Sequence, residues 1–192
     1  MFRAPYDWTL RLAGHRHAIR WLALISFAES SFFPIPPDVM VVPMVLARRD
    51  QAWRIAAVVT ISSVLGGAAG YAIGAFLYES VGAWLMRLYG MSEDVEAFRT
   101  WFAQWGVWIV LIKGLTPIPF KLVTIASGFA GMSFPAFLAA AAVTRAARFF
   151  LIAGLLKRFG APIQAFIEKR LTLVGWAFLA VLVGGFALVM LL

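Results

Sequence analysis

From Ile55 to Tyr78 the chain runs without a charged side chain. A run of that length is more than a soluble core helix needs, and it matches the roughly 20 residues that cross a hydrocarbon core of roughly 30 Å. Residues 134–156 form a second such span, interrupted by Arg145 and Arg148, and residues 171–192 a third with no charge. Of the 192 residues, 62% are hydrophobic, where a soluble domain carries about 45–50%. No water-facing surface covers that excess, so lipid must solvate it. The expected fold class is an all-α integral membrane protein, with residues 1–192 forming a single membrane domain.

Two further apolar segments, 21–47 and 106–131, are broken by proline. The first carries Phe33-Pro34-Ile35-Pro36-Pro37-Asp38 and the second Thr116-Pro117-Ile118-Pro119. A proline lacks the N–H a helix needs and clashes with the preceding turn. Each segment is therefore expected to be two half-helices around a break. Thr116 then reads as an N-cap, with Pro117 at the first helical position. Break followed by span occurs twice, and aligning Pro34 with Pro117 and Pro36 with Pro119 sets Asp38 on Lys121. Interrupted hydrophobic segments at corresponding positions of a weak repeat point to a transporter-type site near the midplane.

Charge separates two topologies. The tail 1–20 carries +3, loop 48–54 +2, the polar stretch 79–105 −2 and the basic loop 157–170 +3. Lys and Arg collect in short cytoplasmic loops. If the broken segments span, loop 48–54 lies outside. If both are re-entrant hairpins, all three basic regions lie inside and the acidic stretch outside. The expected architecture is therefore an inverted repeat of re-entrant hairpin plus transmembrane helix, with an additional C-terminal transmembrane helix. The N-terminus is expected in the cytoplasm and the C-terminus outside. The tail is basic and amphipathic, with Trp8, Leu12, His15 and Ile19 at helical spacing. It lacks a small-residue cleavage site, so the first segment is expected to stay. Phe98, Trp101, Phe102 and Trp105 line one helical face, as an interface helix would. Gly66, Gly70 and Gly74, spaced by four, form a small-residue face for helix packing.

Six charges fall at membrane depth: Glu29, Asp38, Lys113, Lys121, Arg145 and Arg148. Each costs roughly 2.5–3.5 kcal/mol at the centre of an inserted helix, so they must face one another or water. Arg145 and Arg148 could simply tie down the two acids, and the repeat alignment alternatively brings Asp38 to Lys121. In either case four bases meet two acids, and the surplus positive charge seeks an anion. The half-helix after each break turns free N–H groups inward, a ready anion site. The expected guest is a phosphate or carboxylate with a greasy remainder. Lys113, Lys121, Arg145 and Arg148 are the expected binding groups, with Glu29 and Asp38 as protonatable gates.

The chain has no cysteine, and its only histidines are His15 and His17. Disulfides, thiolate metal sites and Cys nucleophiles are excluded. No metal and no cofactor is expected. The net charge of +8 suits an anionic lipid surface; with no basic cluster in a soluble domain, nucleic acid is not an expected partner.

Glu29 followed by a proline-rich turn and Asp38, then a glycine-rich span, then Lys113 and Lys121 around a proline break, then Ser127-Gly128-Phe129-Ala130-Gly131-Met132, resembles the DedA family over about residues 20–156. Its small YqaA-like branch is the most similar form. The wider group shares a fold with the eukaryotic VTT-domain lipid scramblases. The resemblance implies two opposed re-entrant hairpins in a bacterial inner membrane. It also implies movement of phosphate-headed lipids, either undecaprenyl phosphate or a phospholipid, coupled to a proton or sodium gradient. By position Glu29 and Asp38 match the family's essential acids. Lys113 and Lys121 fall where the family usually shows two arginines, at a spacing of eight where six is commoner. Arg145 lies near a span position often held by Asn.

Lipid flippase or scramblase is therefore the leading expectation, with homo-oligomers allowed for. An ion-coupled small-solute transporter is the main alternative, with Glu29 and Asp38 as coupling groups. A lipid-modifying enzyme would want a nucleophile with a base, or a metal, and the chain supplies neither at membrane depth, so no enzymatic activity is expected. A scaffold would leave the charges dispensable.

Overall fold

The computed structural model describes residues 17–32, 36–77, 79–80, 92–115 and 119–169. Most of the expected tail, Pro34, Thr116, Pro117, residues 81–91 of the polar stretch and the expected span 171–192 lie outside the described residues. Among the described residues there are only helices: α1 (Ala18–Ser31), α2 (Asp38–Ala47), a 3-10 turn (Arg49–Gln51), α3 (Ala52–Leu77), α4 (Ser92–Leu115), α5 (Phe120–Phe129) and α6 (Phe134–Lys169).

The order is a helix, a break, a short helix, a tight turn and a long helix, twice over. Both breaks are built by proline. Pro37 sits at the N-cap of α2, and the amides of Val39, Met40 and Val41 bond back to the carbonyls of Pro36 and Pro37. The prolines thus occupy positions where a missing N–H leaves nothing unpaired. Pro119 does the same for α5, its carbonyl accepting from the Leu122 amide at 3.2 Å. The far end of α5 closes on Gly131, with φ of 70°. Met132 N–H reaches Ser127 O and Gly131 N–H reaches Gly128 O, each at 3.0 Å. This pair of bonds around a left-handed glycine is a Schellman cap, which gives the Ser127–Met132 motif a physical meaning.

Two boundaries differ from the sequence reading. The polar stretch does not end at 105: one helix, α4, runs from Ser92 to Leu115. Its aromatic face is packed inward in part, with Phe102 buried beside Met132 and Phe98 6.4 Å from Phe129. The second span also does not give way to a loop at 157. Helix α6 continues to Lys169 past a kink at Phe159, whose φ and ψ are −112° and 15°. Pro162 explains the kink, since its ring clashes with the carbonyl four residues back.

Contacts cross between the halves. Helix α1 packs on α3 and α4 on α6, while α5 lies against α3 and α2 against α6. The two long helices also contact each other. Glycines permit the close approaches. A Cβ on Gly66 would meet the Phe27 carbonyl of α1, one on Gly74 the Ile125 carbonyl of α5, and one on Gly128 the Tyr71 carbonyl of α3. Two apolar cores result. One holds Ala18 and Leu22 from the start of α1, Met44, Val45 and Leu46 from the end of α2, then Ala52, Ile55, Phe149, Ala153 and Leu156. The other holds Phe102, Val110, Phe120, Val123, Met132, Phe137 and Ala141.

Segments Arg49–Leu77 and Phe134–Gly160 are long and apolar enough to cross a membrane. The 26 residues of α3 rise about 39 Å at 1.5 Å each. Ile61, Leu65 and Phe76 of α3, Trp105, Trp108 and Ile112 of α4, and Val143 and Leu151 of α6 are all exposed. So much outward apolar surface on three helices is what lipid, not water, tolerates.

Candidate functional site

The two cores meet at a buried polar cluster. Arg145, 2% exposed, stands near the middle of the α6 span. Its guanidinium lies 4.5 Å from the ring centre of Phe120, from the second core, and 4.8 Å from that of Phe149, from the first. Its Nη2 donates to Glu29 Oε2 at 3.3 Å and its Nε to Ser63 Oγ at 2.7 Å. Glu29, 7% exposed, comes from the last turn of α1. It also accepts from Ser30 Oγ at 3.1 Å and from the backbone N–H of Phe120 at 3.2 Å. Ser30 Oγ and Ser63 Oγ are 2.7 Å apart. Four elements, α1, α3, α5 and α6, thus converge on one polar cluster.

Phe120 is the first residue of α5. The amide end of that half-helix, read from sequence as a seat for a guest anion, is occupied by an anion of the protein itself. Paired, hydrogen-bonded and stacked between two rings, the Arg145–Glu29 pair meets the conditions under which a buried ion pair is tolerated.

A second pair lies one turn along α6. Arg148 Nη2 donates to Asp38 Oδ2 at 2.8 Å, with 19% and 17% of the two side chains exposed. Asp38 opens α2, where an acid suits the helix dipole. The expected Asp38–Lys121 partnership is corrected here: α2 packs on α6, which delivers Arg148 and not Lys121 to Asp38. Of the two pairing schemes read from sequence, the arginines tying down the two acids is the one found. Lys121 sits half-buried in the first turn of α5, against the positive end of its dipole, and makes no ion pair among the described residues. Lys113 lies in the last turn of α4, on the other side of the second break. Pro36, Pro37 and Pro119 cap the short helices. Gly66, Gly70 and Gly74 are buried at the α1 and α5 contacts.

Sequence reasoning missed Ser30, Ser63, the Phe120 amide and the Phe149 ring. Ser30 next to Glu29 was the one available signal, since a buried acid needs donors. Among the described residues no cluster of three or more His, Asp or Glu offers a metal site.

A bundle of lipid-facing helices closed around a buried acid–base cluster defines a membrane protein with its polar site inside. The chain belongs to the VTT-domain family, whose model matches residues 34–158, in keeping with its DedA-like motifs. It is 38% identical over 177 residues to an uncharacterized protein of Haemophilus influenzae and 35% identical to one of Histophilus somni, covering 92% of each chain. It is 26% identical over 126 residues to an uncharacterized protein of Methanocaldococcus jannaschii, covering 65% of this chain and 75% of that one. No solved structure matches it.

Proposed function

We propose that this protein moves phosphate-headed lipids across the bacterial inner membrane, as a flippase or scramblase with undecaprenyl phosphate or a phospholipid as cargo. The observation that carries the reading is the Glu29 carboxylate seated on the α5 amide end and on Arg145. That is an anion-binding site at the meeting point of the two breaks, closed by an internal acid. While Glu29 is ionised it holds both donors. When it takes a proton, Arg145 and the Phe120 amide become available to a phosphate oxygen. Lys113, Lys121 and Arg148 flank the approach and supply the surplus positive charge that draws the headgroup in. Asp38 tethers Arg148 until the phosphate replaces it. Re-ionisation of Glu29 expels the cargo, so a proton gradient drives or regulates each cycle; sodium is the alternative coupling ion. The exposed apolar faces of α3, α4 and α6 let the hydrocarbon tail remain in lipid while the headgroup crosses.

In this reading α1–α2 and α4–α5 are re-entrant hairpins entering from opposite faces. The helix contacts support it. Both ends of the first hairpin share one core with Ala52 and Leu156. Arg49 and Leu46 lie against Gly160, and Lys157 Nζ is 5.2 Å from the Trp53 ring. The basic residues of 48–54 and Lys157 and Arg158 of α6 therefore gather at one end, the cytoplasmic one by the charge rule, with the N-terminus on that side. Arg99 bonds the Ala130 carbonyl at 3.3 Å, where the second hairpin closes at the opposite end.

Purified protein in liposomes tests the cargo. Transbilayer movement of undecaprenyl phosphate or a labelled phospholipid, above protein-free vesicles, is the expected result. Movement of a small anionic solute with neither lipid transported would replace this reading with a solute transporter.

A further inference from the structure

Arg145, Ser63, Ser30 and Glu29 form a closed ring of hydrogen bonds, and with Glu29 ionised the chemistry of its members gives each proton in it a direction. A guanidinium only donates, so Ser63 Oγ accepts from Arg145 Nε at 2.7 Å. Ser30 donates to Glu29 Oε2 at 3.1 Å. Each hydroxyl has one proton. Ser30 has spent its own on the carboxylate, so across the 2.7 Å contact between the serines Ser63 must donate and Ser30 accept. Arg145 Nη2 closes the ring onto the same carboxylate oxygen. Both serines are fully buried, and no water competes for these bonds.

The ring suits an ionised Glu29 better than a neutral one. A proton on Oε2 would have to be accepted by Ser30, whose own hydrogen would then leave the carboxylate for another acceptor. A proton on Oε1 would instead make that oxygen a weaker acceptor for the Phe120 N–H. Either placement weakens or breaks at least one bond. The charged groups around Glu29 are Arg145 from α6 and, one turn further, the Arg148–Asp38 pair of α6 and α2; α5 contributes the Phe120 amide and, at the next residue, Lys121, and α3 contributes Ser63.

We propose that Ser30 and Ser63 are positioning residues that set the pH at which Glu29 accepts its proton and releases Arg145. Ser63 further keeps the guanidinium in place between Phe120 and Phe149 after the ion pair opens. This rests on the lipid-transport reading only in that Glu29 exchanges a proton during function.

The test reads protonation and transport separately. The protonated-carboxyl band of Glu29, assigned by its loss in Glu29→Gln, is titrated by infrared difference spectroscopy on the full protein in liposomes. Losing the Ser30 donor disfavours the ionised form, so Ser30→Ala moves the midpoint to higher pH by about one unit, the equivalent of one hydrogen bond. Ser63 contacts both Ser30 and Arg145, so Ser63→Ala also moves the midpoint to higher pH, and Ser30→Ala/Ser63→Ala shifts it by less than the two single shifts added together, as expected of groups in one network. Ser26 is a buried hydroxyl one turn away that donates to the Val59 carbonyl, outside the ring. Ser26→Ala leaves the midpoint unchanged and controls for loosened packing. A Ser30→Ala midpoint equal to wild type, or an equal shift in Ser26→Ala, overturns the proposal. Lipid flux measured on the same vesicles keeps the two readings apart. A band that shifts as expected while flux stays level across pH upholds the ring and overturns the gating role of Glu29.

Discussion

The two arginines of α6 differ in what they hold and in how much it costs to remove them. Arg145–Glu29 is dry, with 3% and 9% of the two side chains exposed, and Arg148–Asp38 is partly wet. Breaking one partner of a buried pair typically costs about 3–5 kcal/mol because the other is left charged and alone. Arg145→Ala and Glu29→Ala should therefore each lower stability by about that much, measured by denaturant unfolding in detergent. The double variant should cost clearly less than the sum. Arg148→Ala should cost less than Arg145→Ala, since water reaches part of the Arg148–Asp38 pair and screens the acid left behind. Equal losses at 145 and 148 would contradict the burial difference. All six charges were legible in the sequence because a charge in an apolar run stands out. Which of the two pairing schemes holds was not: it depends on α1 and α2 both reaching α6, and spacing along one helix does not encode that. The serines of the ring were less legible: Ser30 was marked only by its place beside Glu29, and Ser63 by nothing in the pattern of α3.

At the level of elements, proline and glycine carry most of the readable information. Both breaks and both short helices fall where Pro36, Pro37 and Pro119 put them. The glycine face of α3 was readable as a place of close approach, although not which helices approach it. A Cβ on Gly74 would run into the Ile125 backbone, where no flexible side chain can give way. Gly74→Val should therefore cost at least the 1–3 kcal/mol typical of overpacking, seen as a drop in the melting temperature of the purified protein. Gly131→Ala should cost about 1–2 kcal/mol for a different reason, since its left-handed backbone penalises any Cβ. A Gly74→Val protein that melts like wild type would mean that α3 and α5 are not in backbone contact. Helix ends were less legible. Residues 92–105 are polar enough to look separate from the apolar run after them, yet their aromatic face binds them to the end of α5.

For the whole molecule, hydrophobic run lengths foreshadowed a membrane bundle, and the two proline breaks foreshadowed its two short helices. The exchange of short helices between the halves, α2 onto α6 and α5 onto α3, was not foreshadowed, because it depends on long-range packing. The opposed-hairpin reading has a direct check, since the native chain has no cysteine. Asp50→Cys should resist an impermeant thiol reagent in intact cells and react after permeabilisation, and labelling in intact cells would overturn the opposed-hairpin reading. At the centre stands the claim that Glu29 closes a phosphate site that Arg145 serves. Binding and transbilayer flux of undecaprenyl phosphate and a phospholipid, compared in liposomes for wild type, Glu29→Gln and Arg145→Ala, test it most directly. Glu29→Gln should bind lipid phosphate at least as well as wild type yet move it poorly, and Arg145→Ala should lose binding itself. Wild-type binding and flux in both variants would contradict the claim.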